Sequence, residues 1–236
     1  MVARDKVTSQ RAVLHDRHTQ RSIGRTAWAF LQVMGHVVAP WKRDWRRRWG
    51  ARPGEPDPSL PGEDLIPITS WDYTHAVSIE AAPEHVWPWI VQVGQGRGGF
   101  YSFERLENIF GCRITNADEI LPEHQTVRVG EEIRLHPTSP PLHVAVVEPG
   151  QSLVLRGTPS DMSQPTTDNI WAFHIQPEPD GHSRLIARGK TVHGNSVTDR
   201  LFFSPLLMEP IGFVMSREML LGVKERVERA ARSSES

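Results

Sequence analysis

The chain has 236 residues, of which 38% are hydrophobic, 23% charged and 8% aromatic, and this balance excludes collagen-like, coiled-coil and wholly disordered proteins. A single cysteine, Cys112, excludes an intramolecular disulfide and cysteine-rich metal sites, and it fits a reducing compartment. The net charge of −1 conceals an asymmetry, because residues 1–52 carry 12 Lys/Arg and only 3 Asp/Glu.

The basic N-terminal arm, residues 1–50, contains an apolar run of 13 residues at positions 27–39. A bilayer-spanning helix takes about 20 apolar residues, so the run predicts an amphipathic or interfacial helix that ends at Pro40. Tryptophans near its ends and a basic flank are typical of a lipid headgroup boundary.

Three contacts are open for this predicted helix: the body of the protein, an anionic membrane surface reached through residues 26–49, and nucleic acid. Because no recognition motif accompanies the basic residues, we expect no nucleic-acid partner. The expected location is cytoplasmic, with a peripheral position at the inner face of the membrane if the second contact holds.

Residues 51–70 are rich in proline and glycine. Because proline lacks the N–H that helices and sheets use, this segment predicts a linker or a strap over the surface. The folded body is expected to begin after it, at about residue 71.

Polarity alternates from Tyr73 onward, which predicts a strand. Pro83 then starts a helix, and a second short helix is predicted after Ser102, which we expect to cap it, with Gly111 as its end.

The segment between these helices, residues 94–99, matches a dinucleotide-binding GxGxxG pattern only formally. A helix precedes the glycines and no βαβ unit surrounds them, so the context for nucleotide binding is missing. We interpret the segment as a tight helix-to-helix turn with Arg97 exposed, or as a flexible gate beside a cavity mouth.

The remainder predicts an antiparallel meander followed by one long helix. Turn sequences such as residues 179–182 join neighbouring β-rich segments. Apolar residues then recur at three- and four-residue spacing from Ser204 to about Arg232, which predicts a helix lying on the sheet, with residues 233–236 as a tail. The β-rich segments are residues 131–136, 142–148, 152–158, 169–176 and 183–193.

This order of elements resembles the helix-grip fold of the START-like, polyketide-cyclase and birch-pollen-allergen-like (SRPBCC) superfamily. The resemblance extends from about Tyr73 to Ala231. Its most characteristic segment, residues 76–92, is similar to that family's opening strand and first helix, and residues 93–102 with 106–108 look like a bacterial branch of it. These motifs identify the fold and carry no catalytic signature.

The resemblance implies an α+β fold in which a curved antiparallel sheet wraps around a long C-terminal helix, with two short helices after the first strand. The START-like domain then covers residues 71–232, and the basic N-terminal helix is an addition to it. The resemblance also implies a cavity between the sheet and the C-terminal helix that takes lipids, polyketides or other small hydrophobic molecules.

Candidates to line that cavity are large apolar side chains, for which plain core packing is an equally open role. They are Trp87, Phe100, Tyr101, Phe103, Trp171, Phe173, Met208, Ile211, Met215 and Met219. We expect no cofactor and no metal, because no histidine pair in the body has HxxxH spacing.

Three functions therefore remain open. The first is a carrier of a small hydrophobic ligand, and the second is an enzyme of the polyketide cyclase or aromatase kind that uses the same cavity. For the enzyme, Arg156, His174 and Arg188 are the first side chains to check for an orientation into the cavity. A thiol nucleophile formed by Cys112 and a histidine is a further catalytic option. The third function is an interaction module that acts through the basic arm.

Overall fold

The computed structural model describes residues 24, 26–56, 60–157, 168–192 and 208–234. Its helices are α1 at residues 26–37, α2 (Arg43–Arg47), α3 (Pro83–Val91), α4 (Glu104–Ile109) and α5 (Met208–Ser234). Its strands are β1 (Trp71–Ile79), β2 (Glu132–Ile133), β3 (Leu142–Glu148), β4 (Ser152–Gly157), β5 (Asp168–Pro177) and β6 (Ser183–Val192). Short 3-10 helices lie at Pro40–Lys42, Glu63–Leu65 and Pro122–His124.

The six strands form one sheet in the order β1-β6-β5-β4-β3-β2, and every neighbouring pair is antiparallel. This confirms the predicted meander and the α+β helix-grip fold, in which the curved sheet packs around α5. The register of β3 and β4 shifts between Val144 and Val146, and such a bulge bends a strand. The predicted starts and ends at Thr158, His193 and Ser204 lie outside the described residues.

The inner face of the sheet packs against the C-terminal half of α5. Alternate strand residues such as Phe173 and Leu185 meet Leu220, Val223 and Val227 of the helix in one buried cluster. Burial of this apolar surface is the main term that holds helix and sheet together.

The described parts of the segment that follows the arm, residues 51–56 and 60–70, run as a strap over the outer face of the sheet. Ile66 is buried against Val154, Ile170 and Ala172 of the sheet. Ion pairs reinforce this contact, with Arg184 Nε 2.7 Å from Glu55 Oε1, Arg188 Nη1 2.7 Å from Glu63 Oε1, and Lys190 Nζ bound to the same Glu63 carboxylate.

One face of α1 packs on the body. Ala29 is fully buried against Phe103, Leu106 and Phe213. The buried Arg46 of α2 lies 3.4 Å from Glu209 of α5 and donates to the carbonyl oxygen of Ala39. None of the described helices combines the length and the apolar character that crossing a bilayer takes.

Candidate ligand cavity

A cavity of about 440 Å³ lies between the N-terminal half of α5 and the inner face of the sheet. Two glycines of the lining differ in what lies beside them. A Cβ at Gly212 would meet no atom within 4 Å, whereas the ring of Tyr73 packs over Gly189, where a Cβ would collide with it. The lining is mostly apolar, and it consists of Trp71, Tyr73, Phe100, Ser102, Glu107, Cys112, Leu135, Leu142, Asn169, Ile170, Trp171, Gly189, Thr191, Met208, Ile211, Gly212, Met215, Ser216 and Met219.

The structure brings six of the ten candidate side chains to this cavity. Four of them form a stripe along α5 and two are aromatic residues whose ring centroids lie 6.1 Å apart. These six are Phe100, Trp171, Met208, Ile211, Met215 and Met219.

The other four candidates lie outside the cavity lining. Tyr101 and Phe173 are buried in the main core, where the Tyr101 hydroxyl donates to the carbonyl oxygen of Trp89. Phe103 packs beneath α1, and Trp87 lies half-buried against the core. Spacing alone could not separate these positions, because Trp171 and Phe173 share one face of β5 and only Trp171 reaches the empty region.

Glu107 of α4 is a polar residue of the cavity wall that sequence reasoning missed. It is 4% exposed, its Oε1 accepts a hydrogen bond from the Ser102 hydroxyl, and its Oε2 has no hydrogen-bond partner among the described residues. Burial raises the pKa of Glu107 to about 7, and the charge of Glu104 adds to this while the Ser102 hydrogen bond opposes it. Ser102 therefore does not cap α4 as predicted; it holds this carboxyl instead.

A second polar feature is a chain of three side chains, of which Tyr73 and Ser216 line the cavity and His75 does not. His75 Nδ1 lies 2.8 Å from Ser216 Oγ, and its Nε2 lies 2.8 Å from the carbonyl oxygen of Arg46. Because a carbonyl only accepts, Nε2 carries the proton and Nδ1 accepts from Ser216. Burial lowers the pKa of His75 to about 4, so this imidazole is neutral at pH 7. The Tyr73 hydroxyl is also hydrogen-bonded to Ser216.

The three polar side chains proposed for the enzyme hypothesis all lie on the outer face. Arg156 Nη2 is 2.7 Å from Asp168 Oδ2, and Arg188 pairs with Glu63 of the strap. His174 Nδ1 lies 3.1 Å from Ser152 Oγ, and burial together with the charge of Arg188 lowers the pKa of His174 to about 4. None of the three is a lining residue of the cavity.

The glycine-rich segment forms a closed turn, with the Gly94 N–H donating to the Gly99 carbonyl oxygen at 3.0 Å. The prediction that Arg97 is exposed is wrong. Its side chain is only 13% exposed, because it lies 3.0 Å from Glu131 and its Nη2 donates to the carbonyl oxygens of Val91 and His124. None of the glycines of this turn lines the cavity.

Cys112 also lines the cavity, directly after α4. Burial and the nearby charge of Glu107 raise the pKa of its thiol, which keeps the thiol protonated. No histidine lies among the described residues that line the cavity, so the structure does not bring a base to this thiol there.

No protein-family model matches the chain, and no curated protein matches it significantly. The chain is similar in structure to protein MLL2253 from Mesorhizobium loti, at 19% identity over 66% of this chain and 97% of that one, with a TM-score of 0.36. It is also similar to CalU16 from Micromonospora echinospora, at 15% identity over 70% and 88%, with a TM-score of 0.31. A third similar structure is Aha1 from Colwellia psychrerythraea, at 11% identity over 63% of this chain and 93% of that one, with a TM-score of 0.36. Values this low carry no information on function.

Proposed function

We propose that the protein is a START-like carrier that binds one small, largely apolar molecule between α5 and the sheet. The observation behind the proposal is the cavity of about 440 Å³ with its wall of tryptophan, phenylalanine, isoleucine and methionine side chains. Sites for small molecules are typically apolar clefts of about 300–1,000 Å³. The sequence similarity of residues 76–92 to the START-like superfamily supports the same assignment.

Carriage is favoured over catalysis because the three basic side chains first considered for proton transfer lie on the outer face. Within the described residues, the cavity wall holds one carboxyl group and no lysine, arginine or histidine. A set of several converging acid and base groups is therefore missing from that wall, and apolar contact is its main property.

Native mass spectrometry of the full chain, followed by organic extraction, tests this proposal. We expect a bound apolar molecule in the wild type and its loss in Gly212→Leu, because the new side chain would grow into empty space within the cavity. Gly35→Leu is the matched control, since it makes the same change at an exposed glycine of α1 that has no atom within 4 Å. An empty wild type that also binds no apolar fluorophore would overturn the proposal.

A second function, docking of the arm on an anionic bilayer, is favoured by the outward face of α1. This face lies opposite Ala29 and is apolar, with Leu31, Met34 and Val38 all more than half exposed. An apolar helix face needs cover. Among the described residues, the body covers the side of Ala29 and Val33.

A lipid surface fits this face because aromatic and cationic side chains adjoin the apolar residues. Trp41 is 76% exposed, and Trp28 and Trp45 are also exposed. Lys42 and Arg48 are exposed beside them, within an arm whose charge is strongly positive. Tryptophan with lysine or arginine is the typical composition of an interfacial helix on anionic lipid.

Co-sedimentation of the full chain with vesicles tests the docking. We expect binding to vesicles that contain phosphatidylglycerol and much weaker binding to pure phosphatidylcholine. The double variant Leu31→Asn/Val38→Asn should reduce partitioning about tenfold, while Ile68→Asn, at an exposed position on the strap, should not. Absence of vesicle binding, with self-association through this face in sedimentation velocity, would show that a second copy covers α1 instead.

A further inference from the structure

The wall of the cavity is mostly apolar, and two of its buried polar atoms, Glu107 Oε2 and Trp71 Nε1, have no hydrogen-bond partner among the described residues. Among the described lining residues Glu107 is the one carboxylic acid, and Oε2 is buried without a hydrogen-bond partner. Buried polar atoms in folded proteins are almost always paired. An unpaired one beside an empty apolar cavity therefore indicates a partner that arrives with the ligand.

The surroundings determine which protonation state of Glu107 meets that ligand. On its own helix the charged neighbour is Glu104, and the titratable lining residue after α4 is Cys112, whose thiol keeps its proton. From β1 the lining contributes Tyr73, whose pKa is raised by burial, and from α5 it contributes Met208, Ile211, Met215, Met219 and the uncharged Ser216. Helix α1, which packs on α4 through Ala29, carries His36 as its titratable residue.

No cation among the described lining residues therefore compensates a carboxylate at this position. A carboxyl group in an apolar wall with an acidic neighbour favours its neutral form. The neutral form has an O–H to donate, and its hydrogen-bond complement is an uncharged acceptor oxygen.

We propose that the neutral carboxylic acid of Glu107 donates a hydrogen bond to a carbonyl oxygen of the bound molecule. The ligand class is then an apolar molecule with one buried ketone, aldehyde or ester carbonyl. This inference rests on the proposed function, because it specifies which molecule the cavity selects. Oε1 of Glu107 keeps its hydrogen bond from the Ser102 hydroxyl, which fixes the orientation of the carboxyl group.

The proposal gives binding a definite dependence on pH. Only protonated Glu107 donates, so the dissociation constant of a carbonyl ligand should be constant at low pH and rise above the pKa of the free protein. Since that pKa is about 7, a titration from about pH 6 to pH 9 spans the transition. Each pH unit above the pKa weakens binding by up to about tenfold until the pKa of the complex is reached.

Fluorescence titration of the full chain with prodan, a naphthalene ketone whose emission shifts to the red when its carbonyl accepts a hydrogen bond, tests the proposal. We expect the dissociation constant to rise at least tenfold from about pH 6 to pH 9. Glu107→Gln keeps an N–H donor at every pH, so it should bind as the wild type does at low pH, without the pH dependence. Glu107→Leu should bind weakly throughout and emit further to the blue. Glu123→Gln, at an exposed carboxylate, is the control.

A second probe separates failure of this inference from failure of the proposed function. N-phenylnaphthylamine is apolar and has no carbonyl, so it should bind wild type with no pH dependence. If it binds and prodan binding is independent of pH, or strengthens as pH rises, Glu107 is not the donor. If neither probe binds at any pH, the cavity does not take apolar molecules and both proposals fail. The wild-type profile decides the question even if a variant does not fold.

Discussion

The two faces of the sheet differ in the polar groups that their partners bring. On the outer face, where the strap packs through Ile66, Arg184, Arg188 and Lys190 each pair with a carboxylate. On the inner face the C-terminal half of α5 is equally well packed, but its N-terminal half leaves a cavity with an unpaired carboxyl oxygen.

The difference places charged pairing on one face of the sheet and the apolar cavity on the other. The paired cations of the outer face stabilise one geometry, and two of them, Arg188 and Lys190, line a polar pocket of about 330 Å³. The inner face tolerates lost packing contacts and an unsatisfied polar atom, and both are costly unless a ligand compensates them. Substitutions on the outer face should therefore lower the free energy of unfolding more than substitutions that line the cavity.

The largest expected effect is on the outer face, where Arg184→Met removes the cation that holds Glu55. Breaking a buried ion pair at one partner leaves an uncompensated charge, so we expect the free energy of unfolding to fall by about 4 kcal/mol. Urea denaturation measures this loss. Arg134→Met, in an exposed pair with Glu132, should cost less than about 0.5 kcal/mol. Equal losses of unfolding free energy at Arg184 and Arg134 would contradict a difference between the buried and the exposed ion pair.

Truncation of an apolar side chain should also cost more unfolding free energy on the outer face than beside the cavity. Ile66→Ala opens a cavity under the strap and should cost about 3 kcal/mol of unfolding free energy. Met215→Ala, on a wall that already borders empty space, should cost about 1 kcal/mol, because fewer packing contacts are lost there. The same denaturation series compares them, and a larger loss at Met215 would mean that the cavity is filled.

The pH dependence of stability should report on Glu107. Its folded-state pKa of about 7 lies above the ordinary 4.5, so between these values the folded state binds the extra proton. This contribution is fully present below about pH 4.5 and is lost as pH rises through about 7. Relative to Glu107→Gln, wild type should therefore lose about 2 kcal/mol of stability between about pH 5.5 and 8.5.

The two buried histidines titrate in the opposite sense, because a lowered pKa makes the folded state lose stability as pH falls from about 6.5 towards 4. They are present in both proteins, so they cancel from the difference between wild type and Glu107→Gln. A difference that does not change with pH would show that Glu107 has an ordinary pKa.

The smallest effects concern two glycines. Gly212→Ala places a methyl group in open space within a helix and should raise the free energy of unfolding by about 0.5–1 kcal/mol. Gly62→Ala on the strap should lower it, since Gly62 has φ +87° and its Cβ would press on Val154. Thermal denaturation resolves both, and a stabilising Gly62→Ala would contradict the tight fit of the strap.

The order of elements could be predicted from the sequence because alternation and helical spacing are local signals. Strands β3, β5 and β6 and the position of α5 follow from them. The cavity could be predicted only as a consequence of resemblance, and its lining only in part. Helix α4 shows why: the apolar Ile109 and the adjoining Phe110 are exposed while Glu107 is buried. That inversion depends on α1 and α5, which are distant in sequence, and no local pattern separates Glu107 from Glu104.

Strand β1 lies at one edge of the sheet, and the N-terminal arm hydrogen-bonds to that edge. Along this edge the Ala76 N–H donates to the carbonyl oxygen of Trp49, the Asp72 carbonyl oxygen accepts from Arg47, and the Ser78 carbonyl oxygen accepts from Lys224. An uncovered edge strand is a template for pairing with another chain. We therefore expect that removing residues 1–50 exposes this edge to pairing with other chains, and that the smallest unit that folds cleanly begins before β1.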